Sequence, residues 1–290
     1  MMSVKDGMRR FGVIGSPIQH SLSPLLHRTA YRELGIEDAT YERFEVPAGE
    51  LARFLTEGPG RELSGASITM PGKAEAFALA TTHDDTAARL GIANTVLRGP
   101  NGGFRAENHD VHGISEALRA GGASRVSVGG VLGSGATALS AAAALLDLGA
   151  ECLQLSARSP EKLTRVQALA QQAGAEVRLI PWERSSDVLA SDAVVSALAQ
   201  PGAEFLATTW SRSEDVPVPS IMLDVLYEPW PAPLAALLEE QGCRVVSGLE
   251  MLLHQADMQL RSMLGVPAPL GPMRQVALAE LARRSPCTAK

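Results

Sequence analysis

Cysteine is scarce in this sequence: 290 residues hold three, Cys152, Cys243 and Cys287. The odd count and the lack of a C-x-x-C spacing argue against a disulfide framework and a cysteine-based zinc site. They fit reduced thiols in a cytoplasmic protein. Cys152 and Cys243 stand in apolar runs and read as core residues. His20, His27, His109 and His112 show no metal-ligand spacing, so no metal is assigned. Long apolar runs are also missing. The longest, Ala136–Gly149, contains Asp147 and reads as a buried helix, too short for a membrane span. The opening residues lack the apolar core of a signal peptide. There is no run of Lys and Arg and no interleaving of basic and aromatic residues, and the net charge is −6. Nucleic acid and anionic membrane surfaces are therefore not expected partners.

What is present describes an enzyme-like globular chain. Hydrophobic residues make up 46% and charged residues 20%, ample for buried cores. The length favours two domains. Strand-like and helix-like segments alternate, which predicts an α/β fold with mostly parallel sheets. In the first half, strands are expected at Phe11–Ile14, Tyr41–Val46 and Ala66–Thr69. Helices are expected at Pro24–Leu34, Gly49–Leu55, Lys73–Ala80 and Asp84–Leu90. Asn94–Arg98 and Phe104–Ala106 flank a glycine-rich hairpin turn. Asp110–Ala120 reads as a connecting helix. A second series has strands at Ser127–Leu132, Cys152–Ala157, Ala193–Ala197, Ile221–Leu226 and Cys243–Ser247. The helices Leu249–Leu264 and Met273–Arg284 follow, and the tail from Ser285 is expected to fray.

Three segments carry chemistry. In the first, Gly15-Ser-Pro-Ile-Gln-His-Ser-Leu-Ser-Pro-Leu-Leu-His27, a strand ends in a loop rich in hydroxyl and imidazole groups, a good place to hold a polar small molecule. Ser23 before Pro24 also reads as a helix N-cap. In the second, Gly65-Ala-Ser-Ile-Thr-Met-Pro-Gly-Lys73, a strand runs into a helix opened by Lys73. A lysine in a first turn faces the positive end of the helix dipole, which favours a lowered pKa and proton transfer. Taken by itself, a solvated lysine at a small dipole penalty is the stronger reading. Asp110, in Asn108-His-Asp110, is open to the same two readings, as helix cap or as functional acid. In the third, Val128-Gly-Gly-Val-Leu-Gly-Ser-Gly-Ala-Thr-Ala138, Gly133, Gly135 and Ala138 fit G-x-G-x-x-A between a strand and a helix. That pattern lets backbone amides of Ser134, Gly135 and Ala136 meet a pyrophosphate. The next strand ends at Ala157-Arg158-Ser159 with no acid at its tip. NAD sites place an acid there, whereas Arg158 suits a 2′-phosphate.

Taken in order, these segments resemble the shikimate dehydrogenase family. The resemblance runs from about Gly12 to Arg274. It also includes Gly91-Ile-Ala-Asn-Thr-Val96, Asp224-Val-Leu-Tyr-Glu-Pro229 and Gly248-Leu-Glu-Met-Leu-Leu-His-Gln255. It implies NADPH-dependent reduction of 3-dehydroshikimate to shikimate in aromatic amino-acid (chorismate) biosynthesis. The implied architecture is a substrate domain over residues 1–110 and 249–290, with C-terminal helices returning to it, and a Rossmann-like NADP domain over 111–248. By the same resemblance, Ser21 and Ser23 bind the substrate carboxylate. Thr69, Asn94, Asp110 and Gln255 hold ring hydroxyls, with Ser67 as a further substrate contact. Tyr227 lines the site, Lys73 and Asp110 form the catalytic pair, and Gly248 lies on the cofactor side. A monomer or homodimer is expected.

This chain departs from the family pattern at three places. Ser67 stands where the family usually has Asn, and His109 where it usually has Thr. Ala157-Arg158-Ser159 replaces an Asn-Arg-Thr cofactor motif. The first two leave room for quinate or aminoshikimate as substrate, and the third bears on NADP preference; a metabolite-sensing protein without turnover is the alternative of a different class, and intact Lys73 and Asp110 argue against it.

Overall fold

A computed structural model describes residues 7–213 and 215–284, so Cys287 and the tail from 285 lie outside the described residues. Two compact units form. Among the described residues, one takes the chain through His109 and returns for Ala256–Glu280; the other takes Asp110–Gln255 and Leu281–Arg284.

The first unit holds six strands: β1 (Arg9–Gly15), β2 (Ala39–Glu45), β3 (Gly65–Ile68), β4 (Thr82–His83), β5 (Thr95–Arg98) and β6 (Phe104–Glu107). Their order is β2-β1-β3-β5-β6-β4. β1 pairs in parallel with β2 and β3, and β5 runs antiparallel to both β3 and β6. The mixed sheet follows from connection length. The expected glycine turn joins β5 to β6 as a hairpin, whereas parallel neighbours need a helical crossover. Those crossovers are α1 (Ser23–Glu33), α2 (Leu51–Thr56), α3 (Lys73–Leu79) and α4 (Asp85–Leu90). Their apolar faces close a core of Ile14, Leu51, Ile68, Val96 and Phe104.

The second unit opens with α5 (Asp110–Ala120) and contains an all-parallel sheet of β7 (Val128–Leu132), β8 (Cys152–Ser156), β9 (Glu176–Leu179), β10 (Ala193–Ser196), β11 (Ile221–Asp224) and β12 (Arg244–Ser247). The strand order β9-β8-β7-β10-β11-β12 is that of a doubly wound dinucleotide fold. The crossovers include α6 (Ala136–Asp147), α7 (Thr164–Gln172), α8 (Gln200–Trp210) and α9 (Pro233–Glu240). Eight residues of α6 are buried, five of them alanines; small side chains let this helix lie close on the sheet. Leu132, Val194, Leu206, Trp210 and Leu234 build the core. Cys152 and Cys243 are buried free thiols. The chain ends in α10 (Gly248–Leu264) and α11 (Leu270–Arg284). Among the described residues, no helix is long and apolar enough to cross a membrane.

Two strands escaped the sequence pattern. β4 is only two residues long, and β9 is an edge strand with Glu176, Arg178 and Leu179 exposed, so it lacks a buried apolar stripe. Ser23 also differs from expectation. α1 begins at Ser23 itself, and the preceding cap residue, Leu22, is already right-handed and helical (φ −83°, ψ −9°) with no side-chain cap bond. The local turn explains the shift: Ser21 Oγ accepts the Ser23 N–H at 3.3 Å, so the chain winds one residue early.

Candidate functional site

In the first unit, topology brings four loops to one sheet edge. β1, β3 and β6 share a direction and β5 opposes them. The loops after β1, β3 and β6 therefore meet the residues just before β5, and ligands gather at such carboxyl ends. Ser21 and Ser23 lie in the first loop, both buried. Arg43 fixes that loop: its Nη2 and Nε donate to the Ser21 carbonyl at 2.6 and 3.1 Å. Behind it, His27 is fully buried and stacked on Tyr41, with ring centroids 4.0 Å apart. Burial pushes the His27 imidazole down to about 3, so the ring is neutral.

After β3 the chain turns sharply, with Gly72 N–H donating to the Thr69 carbonyl at 2.9 Å. Lys73 then opens α3, as its position after Pro-Gly predicts, and is buried. Its carbonyl accepts the Ala93 N–H at 2.9 Å, which ties α3 to the segment carrying Asn94. Asn94 is 2% exposed. Its Oδ1 accepts from Thr95 Oγ1 at 2.9 Å and from the His109 N–H at 3.0 Å. Ser67, Thr69, Lys73 and Asn94 thus belong to one edge, together with Ser21 and Ser23. The chain passes from His109 directly into Asp110, the buried first residue of α5.

In the second unit, β7 ends in the glycine loop. Gly133 has φ +112°, and a Cβ there would meet the Ala197 carbonyl oxygen at 2.7 Å, so only glycine fits. Gly135 is different: a Cβ there would meet nothing within 4 Å. Gly135 caps α6 with no side-chain bond. Unused amides of a helix start beside open space suit a pyrophosphate. Gly133 N–H donates to the Ser156 carbonyl at 2.9 Å, joining this loop to the tip of β8. There Ala157 is buried, Arg158 is exposed and Ser159 half-buried, on the adjoining loop as a 2′-phosphate site requires.

Gly248, at the start of α10, is a packing glycine; a Cβ would lie 2.1 Å from the Val225 carbonyl oxygen. Half-buried Tyr227 sits on the loop after β11. Gln255 is buried on α10, and its Nε2 donates to the Leu252 carbonyl at 3.2 Å. α5 packs on this stretch through Gly113, where a Cβ would meet the Met251 carbonyl oxygen at 2.7 Å.

Sequence reading missed two features. Asp224, at the end of β11, is fully buried, and burial lifts its carboxyl to about 7, against a stabilising hydrogen bond from the Leu226 N–H. Gln259, one helical turn beyond Gln255 and fully buried, bonds to Ser67 and Thr95; the i, i+4 spacing on α10 was the available signal. Among the described residues, no cluster of three or more His, Cys, Asp or Glu is placed to hold a metal.

The shikimate dehydrogenase substrate-binding domain profile matches residues 13–96. A shikimate dehydrogenase (NADP(+)) from Acidiphilium cryptum is 36% identical over 91% of this chain and 94% of its own length. The chain belongs to the shikimate dehydrogenase family. Among solved shikimate dehydrogenases, the Mycobacterium tuberculosis protein is 39% identical with a TM-score of 0.82, over 93% of this chain and 99% of that one. The Thermus thermophilus enzyme, solved in complex with NADP(H) and shikimate, is 29% identical with a TM-score of 0.78, over 94% and 99%. As in other shikimate dehydrogenases, a Rossmann-like unit accompanies the mixed-sheet unit.

Proposed function

We propose that this chain is an NADP-dependent shikimate dehydrogenase that interconverts 3-dehydroshikimate and shikimate. The observation that carries this reading is the convergence of Ser21, Ser23, Thr69, Lys73 and Asn94 on one sheet edge. A compact polyol acid needs such a set of hydroxyl, amide and cationic partners.

We assign the substrate carboxylate to Ser21 and Ser23, and the ring hydroxyls to Thr69, Asn94, Asp110 and Gln255, with Tyr227 along the wall. Ser134, Gly135 and Ala136 offer backbone amides to the pyrophosphate, Arg158 and Ser159 hold the 2′-phosphate, and Ala157 and Gly248 complete the cofactor side. When bound, the nicotinamide supplies or takes the hydride. Lys73 stabilises the developing alkoxide and gives it a proton on reduction; in the reverse direction it removes that proton. Asp110 is its catalytic partner. We place the domain limits at 1–110 with 249–290, and 111–248, and place the protein in the cytoplasm, where buried thiols such as Cys152 and Cys243 stay reduced.

The test is oxidation of shikimate and of quinate, each with NADP and with NAD, by the purified protein. Fastest turnover is expected for shikimate with NADP. No turnover with any pair would overturn the enzyme assignment, and faster turnover with quinate and NAD would overturn the specificity.

A further inference from the structure

The segment Asp224-Val-Leu-Tyr-Glu-Pro229 sets an acid three residues before Tyr227. In the second unit, Asp224 ends β11 and is 0% exposed. Its Oδ1 accepts the Leu226 N–H at 3.1 Å, the bond from residue i to i+2 by which an aspartate bends its own backbone into a turn. The other oxygen, Oδ2, has no hydrogen-bond partner among the described residues. The Ser196 hydroxyl, beside it in register on β10, lessens the burial penalty without closing that gap. A buried carboxyl with one oxygen unpaired is a poor way to stabilise a fold, and an apolar side chain at the end of β11 would cost less. What the carboxyl supplies is shape: its bond goes to the turn that leads into Tyr227.

Two backbone bonds fix the same turn. The Val225 N–H donates to the Ser196 carbonyl at 3.0 Å, which keeps the start of the turn on β10. The Gly248 N–H donates to the Leu226 carbonyl at 3.2 Å. Only glycine can come that near, since a Cβ at 248 would lie 2.1 Å from the Val225 carbonyl oxygen and 3.0 Å from that of Asp224. We infer that Asp224 is a positioning residue that, together with Gly248, sets where the Tyr227 side chain meets the substrate. This assignment rests on the reading of Tyr227 as part of the substrate wall. It gives the acid of this segment a task, and gives Gly248 one beyond packing.

Steady-state kinetics with shikimate and NADP test this. Asp224→Ala removes the acceptor for the Leu226 N–H. The KM for shikimate is expected to rise roughly three- to tenfold, the effect of one lost hydrogen bond, with a smaller change in the KM for NADP. Asp224→Asn keeps an oxygen for the Leu226 N–H and returns the KM to near the wild-type value. Tyr227→Ala raises the KM for shikimate by itself. Because Asp224 acts through Tyr227, adding Asp224→Ala to Tyr227→Ala raises it no further. A wild-type shikimate KM in Asp224→Ala, an Asp224→Asn as impaired as Asp224→Ala, an equal rise in both KM values, or fold-changes that multiply in the double variant overturns the inference. If Asp224→Ala does not fold, Asp224→Val, which suits the end of a strand, takes its place in every comparison. An inactive wild type sinks the functional reading and the positioning role with it. An unchanged KM in Tyr227→Ala sinks the placement of Tyr227 and, with it, the role of Asp224. A raised KM in Tyr227→Ala with an indifferent Asp224→Ala sinks the positioning role alone.

Discussion

His109 Nε2 lies 3.0 Å from Glu107 Oε2, and both side chains are only 7% exposed. Ser262 Oγ approaches the same ring nitrogen at 3.3 Å. Burial alone would raise the Glu107 carboxyl, but hydrogen bonds from His109 and Ser262, with the charges of His109 and Arg105, hold it at about 2. The ring of His109 is thus tied back to the sheet, while its backbone N–H holds Asn94. The residue that departs from the family pattern beside Asp110 is built into the support of the site.

That pair predicts an acid limb of stability. The Glu107 carboxyl titrates near 4.5 when exposed and at about 2 in the folded protein. Its contribution is complete above the unfolded value and is lost as pH falls through the folded one. Glu107→Gln is expected to lower the thermal midpoint at neutral pH, by roughly 2–4 °C for each kcal/mol lost. It should also flatten the fall of the midpoint between about pH 5 and pH 3. Thermal unfolding across that range measures both, and equal acid limbs in the two proteins refute the role.

The two glycines of the phosphate loop should respond differently to the same methyl group. Gly133→Ala forces a positive φ on alanine and a Cβ against the Ala197 carbonyl. A loss of about 1–3 kcal/mol is expected without any cofactor present. Gly135→Ala enters open space, so its thermal midpoint stays near wild type while NADPH binding weakens. Titration of NADPH alongside thermal unfolding separates the two, and identical behaviour would contradict the loop's assigned role.

Much of this was legible in the residues. The glycine loop, the Lys73 helix start and the Gly99–Gly103 hairpin depend on local chemistry, and local chemistry is what a sequence displays. Ser23 was misjudged as a cap because its neighbour Ser21 turns the chain first. β9 was missed because an edge strand need not bury one face. For Gln259 the sequence displays only a shared helix face with Gln255; its partners Ser67 and Thr95 are 192 and 164 residues away in sequence, and only the folded unit brings them together.

Arg158 decides cofactor choice if it meets the 2′-phosphate. It is exposed at the tip of β8 and no acid stands there. Arg158→Ala is expected to raise the KM for NADPH by roughly 10–100-fold, the worth of a charge-assisted hydrogen bond. The KM for NADH should hardly change. Parallel kinetics with both cofactors check this, and an equal loss with both would show a general binding defect instead.

Lys73→Ala removes the proposed proton donor. A fall in kcat of about 10²–10⁴-fold is expected, the usual size of a general acid–base contribution. Shikimate binding, measured by calorimetry, should change far less. Unchanged turnover would refute the assignment.

Asp224 predicts a pH dependence of the opposite sign. Its carboxyl titrates near 3.8 when exposed and at about 7 in the folded protein, because burial disfavours the charge more than the Leu226 N–H stabilises it. The folded state therefore holds this proton over that interval and the unfolded state does not. The stability from this group is complete below the unfolded value and declines as pH rises through about 7. Asp224→Asn carries no charge to bury, and its Oδ1 can still accept the Leu226 N–H that shapes the turn before Tyr227. Relative to wild type, the variant should gain thermal stability as pH is raised from 5 to 8, with an upper bound of roughly 3 kcal/mol over that range. Because both proteins share every other titrating group, the difference between their midpoints isolates Asp224. A difference that stays constant with pH would mean that the carboxyl is ionised throughout and that burial does not control it.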